Sequence, residues 1–229
     1  MENKTINIGV VAEVAEALQE LKEQVAFVGG SVISLYTDDP AADEVRPTGD
    51  IDMAVNIASF GEWNKMHERL GELGFHPDAK SDVICRYKYK HIQVDIMTTE
   101  NVALGPVNRW YAVGFEDLKE AKAKEQTISL LAAPCFIATK LEAFNSRGNG
   151  DYRGSHDFED VIYVIDNRTN IVQEISEAPD DIKAFIQEEI QKVIDHKHVE
   201  EYISAQLHPF IQEARYGIIH EKLTQICEN

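Results

Sequence analysis

The stretch Thr48-Gly49-Asp50-Ile51-Asp52-Met53-Ala54-Val55 decides how this chain is read. Its residues alternate, and successive side chains of a strand point to opposite faces. Ile51, Met53 and Val55 therefore share one side, and Asp50, Asp52 and Ala54 the other. We expect a strand over 51–57 with a buried apolar side. The two aspartates, at i and i+2, then stand together on the polar side. Carboxylates held a few ångströms apart repel one another unless a cation lies between them. Hard oxygen donors on a rigid strand suit Mg²⁺ or Mn²⁺.

Working outward, Ile92-Gln93-Val94-Asp95-Ile96-Met97 repeats the pattern, with Ile92, Val94 and Ile96 inward and Gln93 and Asp95 outward. If the two strands are neighbours, Asp95 completes a set of three carboxylates. Upstream, the short apolar run Val25–Val28 ends in Gly29-Gly30-Ser31. That predicts a buried strand, a tight turn and a helix from about Ser31 to Tyr36. Backbone N–H groups at such a turn are available to anionic oxygens. An aspartate pair alone is usually a solvated face, and a Gly-Gly turn alone is usually structural. Their combination is far rarer by accident.

The remaining elements follow from periodicity. Residues 10–24 and 60–73 carry apolar residues at helical spacing, and Val83–Tyr89 with Ile92–Met97 reads as a hairpin. A further strand is expected over Arg109–Phe115. From about Gln126 the pattern becomes mainly helical, with helices over 136–146, 157–165, 182–196, 199–207 and 211–227. The fold class expected is α+β: a small mixed sheet packed with helices over 1–125, then a mainly helical domain over 126–229.

Composition limits the function. The chain has 229 residues, 44% apolar and 27% charged, an ordinary globular make-up. Its 22 Lys+Arg against 40 Asp+Glu leave a net charge of −18. This argues against broad, non-specific nucleic-acid binding, which needs cations to release counterions from phosphates. No apolar run approaches the roughly 18 residues of a membrane span, and the glutamate-rich start does not read as a signal peptide. Cys85, Cys135 and Cys227 lack metal-ligand spacing, so a reducing cytoplasm is the expected location. The run Arg86-Tyr87-Lys88-Tyr89-Lys90-His91 suits either RNA contact or a cross-strand solvent face.

In the helical half, Phe136, Lys140 and Phe144 are spaced by four, placing a lysine in an apolar stripe. Arg147 and Arg153 flank the glycine-rich loop 148–154. Ser155, a plausible N-cap, precedes a helix carrying Asp157 and Asp160 at i, i+3.

Gly29-Gly30-Ser31, Asp50-Ile51-Asp52 and Asp95 together resemble the signature of the polymerase-beta-like nucleotidyltransferase superfamily. The gap from Gly30 to Asp50 is longer than in its compact members and is read as a loop insertion. Thr48, ahead of the aspartate pair, and the lysine helix followed by Asp157 resemble the abortive-infection-type nucleotidyltransferase toxins. The resemblance spans residues 25–165. It implies a nucleotidyltransferase core that moves an NMP from an NTP to an acceptor hydroxyl on tRNA, protein or a small molecule. It implies two Mg²⁺ or Mn²⁺ ions on Asp50, Asp52 and Asp95, with Gly29, Gly30, Ser31 and Thr48 around the triphosphate. Lys140 and Asp157 enter through nucleotide handling, and an antitoxin-like partner protein becomes an expectation. The alternative is a protein of the same fold that binds nucleotide or a partner without chemistry.

Overall fold

The computed structural model describes residues 2–100 and 108–229. The chain forms two compact units, Met1–Leu35 with Glu44–Ala132, and Tyr36–Asp43 with Ala133–Asn229.

The first unit is built on a mixed sheet, ordered β3-β4-β5-β2-β1-β7-β6. Its strands are β1 (Val25–Val28), β2 (Asp50–Val55), β3 (Phe75–Pro77), β4 (Arg86–Tyr89), β5 (Ile92–Thr98), β6 (Lys119–Ala123) and β7 (Gln126–Leu130). β2 runs antiparallel to β1 and parallel to β5. The apolar residues expected inward, Ile51, Met53, Val94 and Ile96, are all buried, as is the whole of β1. Three helices join this unit: α1 (Glu2–Ala17), α2 (Phe60–Glu72) and α3 (Trp110–Gly114). A capping box starts α2, with the Ser59 hydroxyl accepting from the Glu62 N–H and the Glu62 carboxylate from the Ser59 N–H. Two of its orphan N-terminal donors are thereby satisfied.

Four local expectations change. The helix expected over 10–24 begins at Glu2 and stops at Ala17, because Gln19 turns left-handed (φ 50°) and the chain continues as a 3-10 helix over Gln19–Gln24. The segment after the Gly-Gly turn is likewise a 3-10 helix, Gly30–Leu35. The strand expected over Arg109–Phe115 is α3: its buried residues, Trp110, Tyr111 and Gly114, have helical spacing, which a five-residue window cannot separate from alternation. Finally, helical character begins at Ala133 rather than Gln126, because Gln126–Leu130 pairs with both β1 and β6.

The second unit consists of α4 (Ala133–Arg147), α5 (His156–Asn167), α6 (Ile171–Ser176), α7 (Asp180–Ile194), α8 (Val199–Ser204) and α9 (Gln212–Glu228), together with Tyr36–Asp43. Of the segment that the sequence suggests is an inserted loop, Tyr36–Asp43 thus belongs to the helical unit, and the chain returns to the first unit at Glu44. Tyr36 stacks on Phe136 at 4.2 Å, and the Asp38 and Asp39 N–H groups donate to the Asn167 carbonyl. The Lys222 ammonium on α9 donates to the carbonyls of Ile165, Asp166 and Arg168. A cation is favourable at this end of α5, where carbonyls lack helical partners. Among the described residues, no helix is long and apolar enough to cross a membrane.

Candidate functional site

The two aspartate strands are neighbours. β2 and β5 pair in parallel, with Asp52 opposite Asp95 and Asp50 opposite Gln93. Asp50, Asp52, Gln93 and Asp95 consequently lie on one face across two adjacent strands. Asp95 is the most enclosed, at 7% exposure, while Asp50 and Asp52 are half-buried. A cleft of about 140 Å³ opens beside Asp50, with Asn7, Thr48 and His91 in its lining.

The turn after β1 is fitted to this face. Val28 pairs with Asp52, and Gly29 follows with φ 73°. A Cβ on Gly29 would lie 1.9 Å from Asp52 Oδ2, so only glycine permits both the left-handed backbone and the aspartate packed against it. A Cβ on Gly30 would lie 2.7 Å from Arg46 Nη2 and 3.1 Å from Thr48 Cγ2. Ser31 is fully enclosed, and its hydroxyl has no hydrogen-bond partner. Burying an unsatisfied hydroxyl is costly, and a phosphate oxygen is the kind of acceptor that would satisfy it. The structure therefore brings Gly29, Gly30, Ser31, Thr48, Asp50, Asp52 and Asp95 into one neighbourhood of the first unit.

Arg86 is the participant missing from the sequence-based site. β4 and β5 form a hairpin through Lys90-His91, which places Arg86 directly opposite Asp95. Arg86 Nε donates to Asp95 Oδ1 at 2.7 Å, and Nη2 donates to Asp95 Oδ2 and to Asp50 Oδ2, each at 2.7 Å. Nη1 donates to Gln93 Oε1 at 3.0 Å. The hydrogen bond with Asp95, then the nearby carboxylate charges, hold the guanidinium even more firmly protonated than usual. Next to it, burial and the Asp95 charge push the Cys85 thiol up to about 11, which leaves it neutral.

The rest of the basic run is also committed. Lys88 pairs with Asp78 and Lys90 with Glu13, each at 2.7 Å, while Tyr87 is buried against His67. Its cations face carboxylates of this chain, which weakens the RNA-contact expectation. The signal for Arg86 was present in the sequence: a two-residue turn pairs Tyr89 with Ile92 and, counting back, Arg86 with Asp95.

As for a metal, the donor set is of the right kind, three hard carboxylates on two adjacent strands. Among the described residues, however, no three acidic, His or Cys side chains stand ready to hold an ion together. Asp50 and Asp95 close on Arg86 instead.

Lys140 and Asp157 lie in the second unit, in a separate ionic cluster between α4 and α5. Lys140 Nζ is 2.6 Å from Asp160 Oδ2 and 3.4 Å from Asp157 Oδ1. Arg147 donates to both Asp157 oxygens, at 2.8 and 2.9 Å. Lys140 is 6% exposed and Asp160 1%. Burial raises the Asp157 carboxyl, but the Arg147 hydrogen bond and the Lys140 and Arg147 charges outweigh it, so the group sits below its ordinary range. Ser155 does cap α5, its hydroxyl accepting from the Phe158 N–H. Of the two aspartates, Asp160 makes the shorter contact with Lys140.

No family model matches the chain, and no curated protein matches it. Among solved structures it is similar to the crystal structure of an antigenic nucleotidyltransferase-like protein from Paracoccidioides brasiliensis, with a TM-score of 0.49 and 14% identity. That similarity covers 90% of this chain and 94% of the other. The fold itself is mixed α+β, a seven-stranded sheet with helices and a mostly helical C-terminal region.

Proposed function

We propose that this chain is a metal-dependent nucleotidyltransferase that moves an NMP from an NTP to an acceptor hydroxyl on RNA, protein or a small molecule. The observation that carries this is the register of β2 on β5, which sets Asp52 beside Asp95 with Asp50 on the same face. The turn at Gly29-Gly30, with the unsatisfied Ser31 hydroxyl, supports the triphosphate as the second element of the site.

In this proposal Asp50, Asp52 and Asp95 hold two Mg²⁺ or Mn²⁺ ions, which when bound supply charge neutralisation and activation of the attacking hydroxyl. The Gly29–Ser31 turn binds and orients the β- and γ-phosphates, close to Thr48. Asp95, the most enclosed of the three carboxylates, is also the group proposed to accept the acceptor's proton. Lys140 and Asp157 join this proposal through the resemblance alone: Lys140 would offset phosphate charge, but Asp160 already pairs with it, so its effect on turnover should be smaller than that of Asp50.

The test is transfer of α-labelled NMP by wild type and Asp50→Asn. Loss of at least about 100-fold, some 2.7 kcal/mol of transition-state stabilisation, is expected with the fold retained. Near-normal turnover in the variant would overturn the metal assignment. A toxin-like use of the activity, restrained by a partner protein, follows from the resemblance alone. Growth arrest on expressing wild type but not Asp50→Asn would support it, and arrest by both would count against it.

One observation favours a second function. Arg86 neutralises the carboxylate face from within the chain, as suits a protein that binds nucleotide or a partner without chemistry. NTPs that raise the unfolding temperature of wild type with no labelled product under any condition would select that function.

A further inference from the structure

We propose that Arg86 is a tethered competitor for the divalent ion: it fills the carboxylate face, and it must withdraw before a metal can enter. This presupposes that Asp50, Asp52 and Asp95 bind metal for nucleotidyl transfer, as proposed above.

The position of Arg86 is fixed by register, because it is the cross-strand neighbour of Asp95. Its guanidinium bridges the two strands that supply the carboxylates, using both oxygens of Asp95 and one of Asp50. Bonds of 2.7 Å between ionised groups are short and charge-assisted. A planar fork that spans two carboxylates satisfies them in a way a lysine point charge cannot. A divalent ion between Asp50 and Asp95 would meet a fixed positive charge a few ångströms away, and that repulsion is strong in a partly desolvated site. The two cations are therefore alternatives.

Withdrawal is feasible. The Arg86 side chain is 17% exposed, and its strand lies one place in from the sheet edge, beside the three-residue β3. The apparent metal affinity is then the intrinsic affinity multiplied by the fraction of molecules in which Arg86 has withdrawn. If that fraction is about one in ten or less, removing Arg86 tightens binding by at least about tenfold.

The experiment is Mn²⁺ binding to the full chain without nucleotide, followed by the electron paramagnetic resonance of free Mn²⁺. Wild type, Arg86→Ala and Arg86→Lys are compared. The expected order of affinity is Arg86→Ala tightest, by about tenfold or more, then Arg86→Lys, then wild type. Mn²⁺ should also raise the unfolding temperature of Arg86→Ala more than that of wild type. Equal or weaker Mn²⁺ binding in both variants, with wild type still binding, would overturn the competition and leave the transferase function intact. No Mn²⁺ binding by any of the three, with or without NTP, would overturn both. If Arg86→Ala does not fold, Arg86→Lys decides: tighter binding than wild type supports competition, and equal or weaker binding overturns it.

Discussion

Each unit of this chain sets cations against a pair of aspartates, and the two arrangements differ in depth. On the sheet, Arg86 bridges Asp50 and Asp95 where solvent reaches the Asp50 side through an open cleft. Between α4 and α5, Lys140 is locked against Asp160 and Asp157, all three nearly excluded from water. Removing one partner of a deep pair strands a charge that neither water nor rearrangement can satisfy. Near the surface, water or another ion can take the vacated place. The same pairing is therefore a fixed joint in one unit and, in the competition proposed above, an exchangeable counter-charge in the other.

The largest effect expected from that contrast is on stability. Lys140→Met leaves Asp160 without its nearest cation and should cost about 3–5 kcal/mol, measured by urea unfolding. Arg86→Ala leaves the enclosed Asp95 short of a partner but frees the more open Asp50 to water, and should cost less, about 1–3 kcal/mol. Equal losses would erase the distinction between joint and counter-charge.

Next in size is Gly29→Ala, which forces a Cβ into Asp52 and an L residue into φ 73°. A loss of about 1–3 kcal/mol is expected, together with a drop in the proposed nucleotidyl transfer as Asp52 is pushed aside. Full activity with only a stability loss would mean that the Asp52 position is not tied to the turn.

The smallest effect is the pH dependence of the buried cluster. Asp157 titrates below its ordinary value when folded. It therefore contributes stability above the ordinary carboxylate range, and that contribution is lost as pH falls from about 4 through its lowered folded value. Asp166 has the opposite sign. Burial raises its folded value despite Arg215, so stability falls as pH rises from the ordinary value through the raised one. Asp157→Asn should flatten the acid limb of the unfolding-temperature profile. An unchanged acid limb would place the acid-sensitive groups elsewhere.

Much of the sheet was legible because its signals are local. Alternation in β2 and β5 assigned the buried and polar faces, and the aspartates fell where two-residue periodicity puts them. Pairing between strands is not local, so the adjacency of Asp52 and Asp95 could only be stated as a condition. Arg86 was missed for a related reason: in a run of alternating basic and aromatic residues its charge looked like surface, and only hairpin counting reveals Asp95 opposite. β6, β7 and α6 carry short patterns that tertiary pairing decides. For Lys140, spacing placed it correctly in an apolar stripe, but helix geometry alone does not choose between carboxylates one turn apart. Asp160 is the one that reaches it.

The excursion of Tyr36–Asp43 into the helical unit has a consequence for how the gene can be divided. The polypeptide passes between its two units at Leu35–Tyr36, Asp43–Glu44 and Ala132–Ala133. A single cut, wherever it falls, cannot yield both units whole. A fragment ending near residue 132 would carry the Tyr36 ring and the Asp38 and Asp39 amides with Phe136 and Asn167 deleted. A fragment beginning there would expose the seat of that strap. The units are thus interlaced in sequence, so gain or loss of either one as an independent cassette would require two coordinated splices, and shuffling at a single breakpoint is disfavoured.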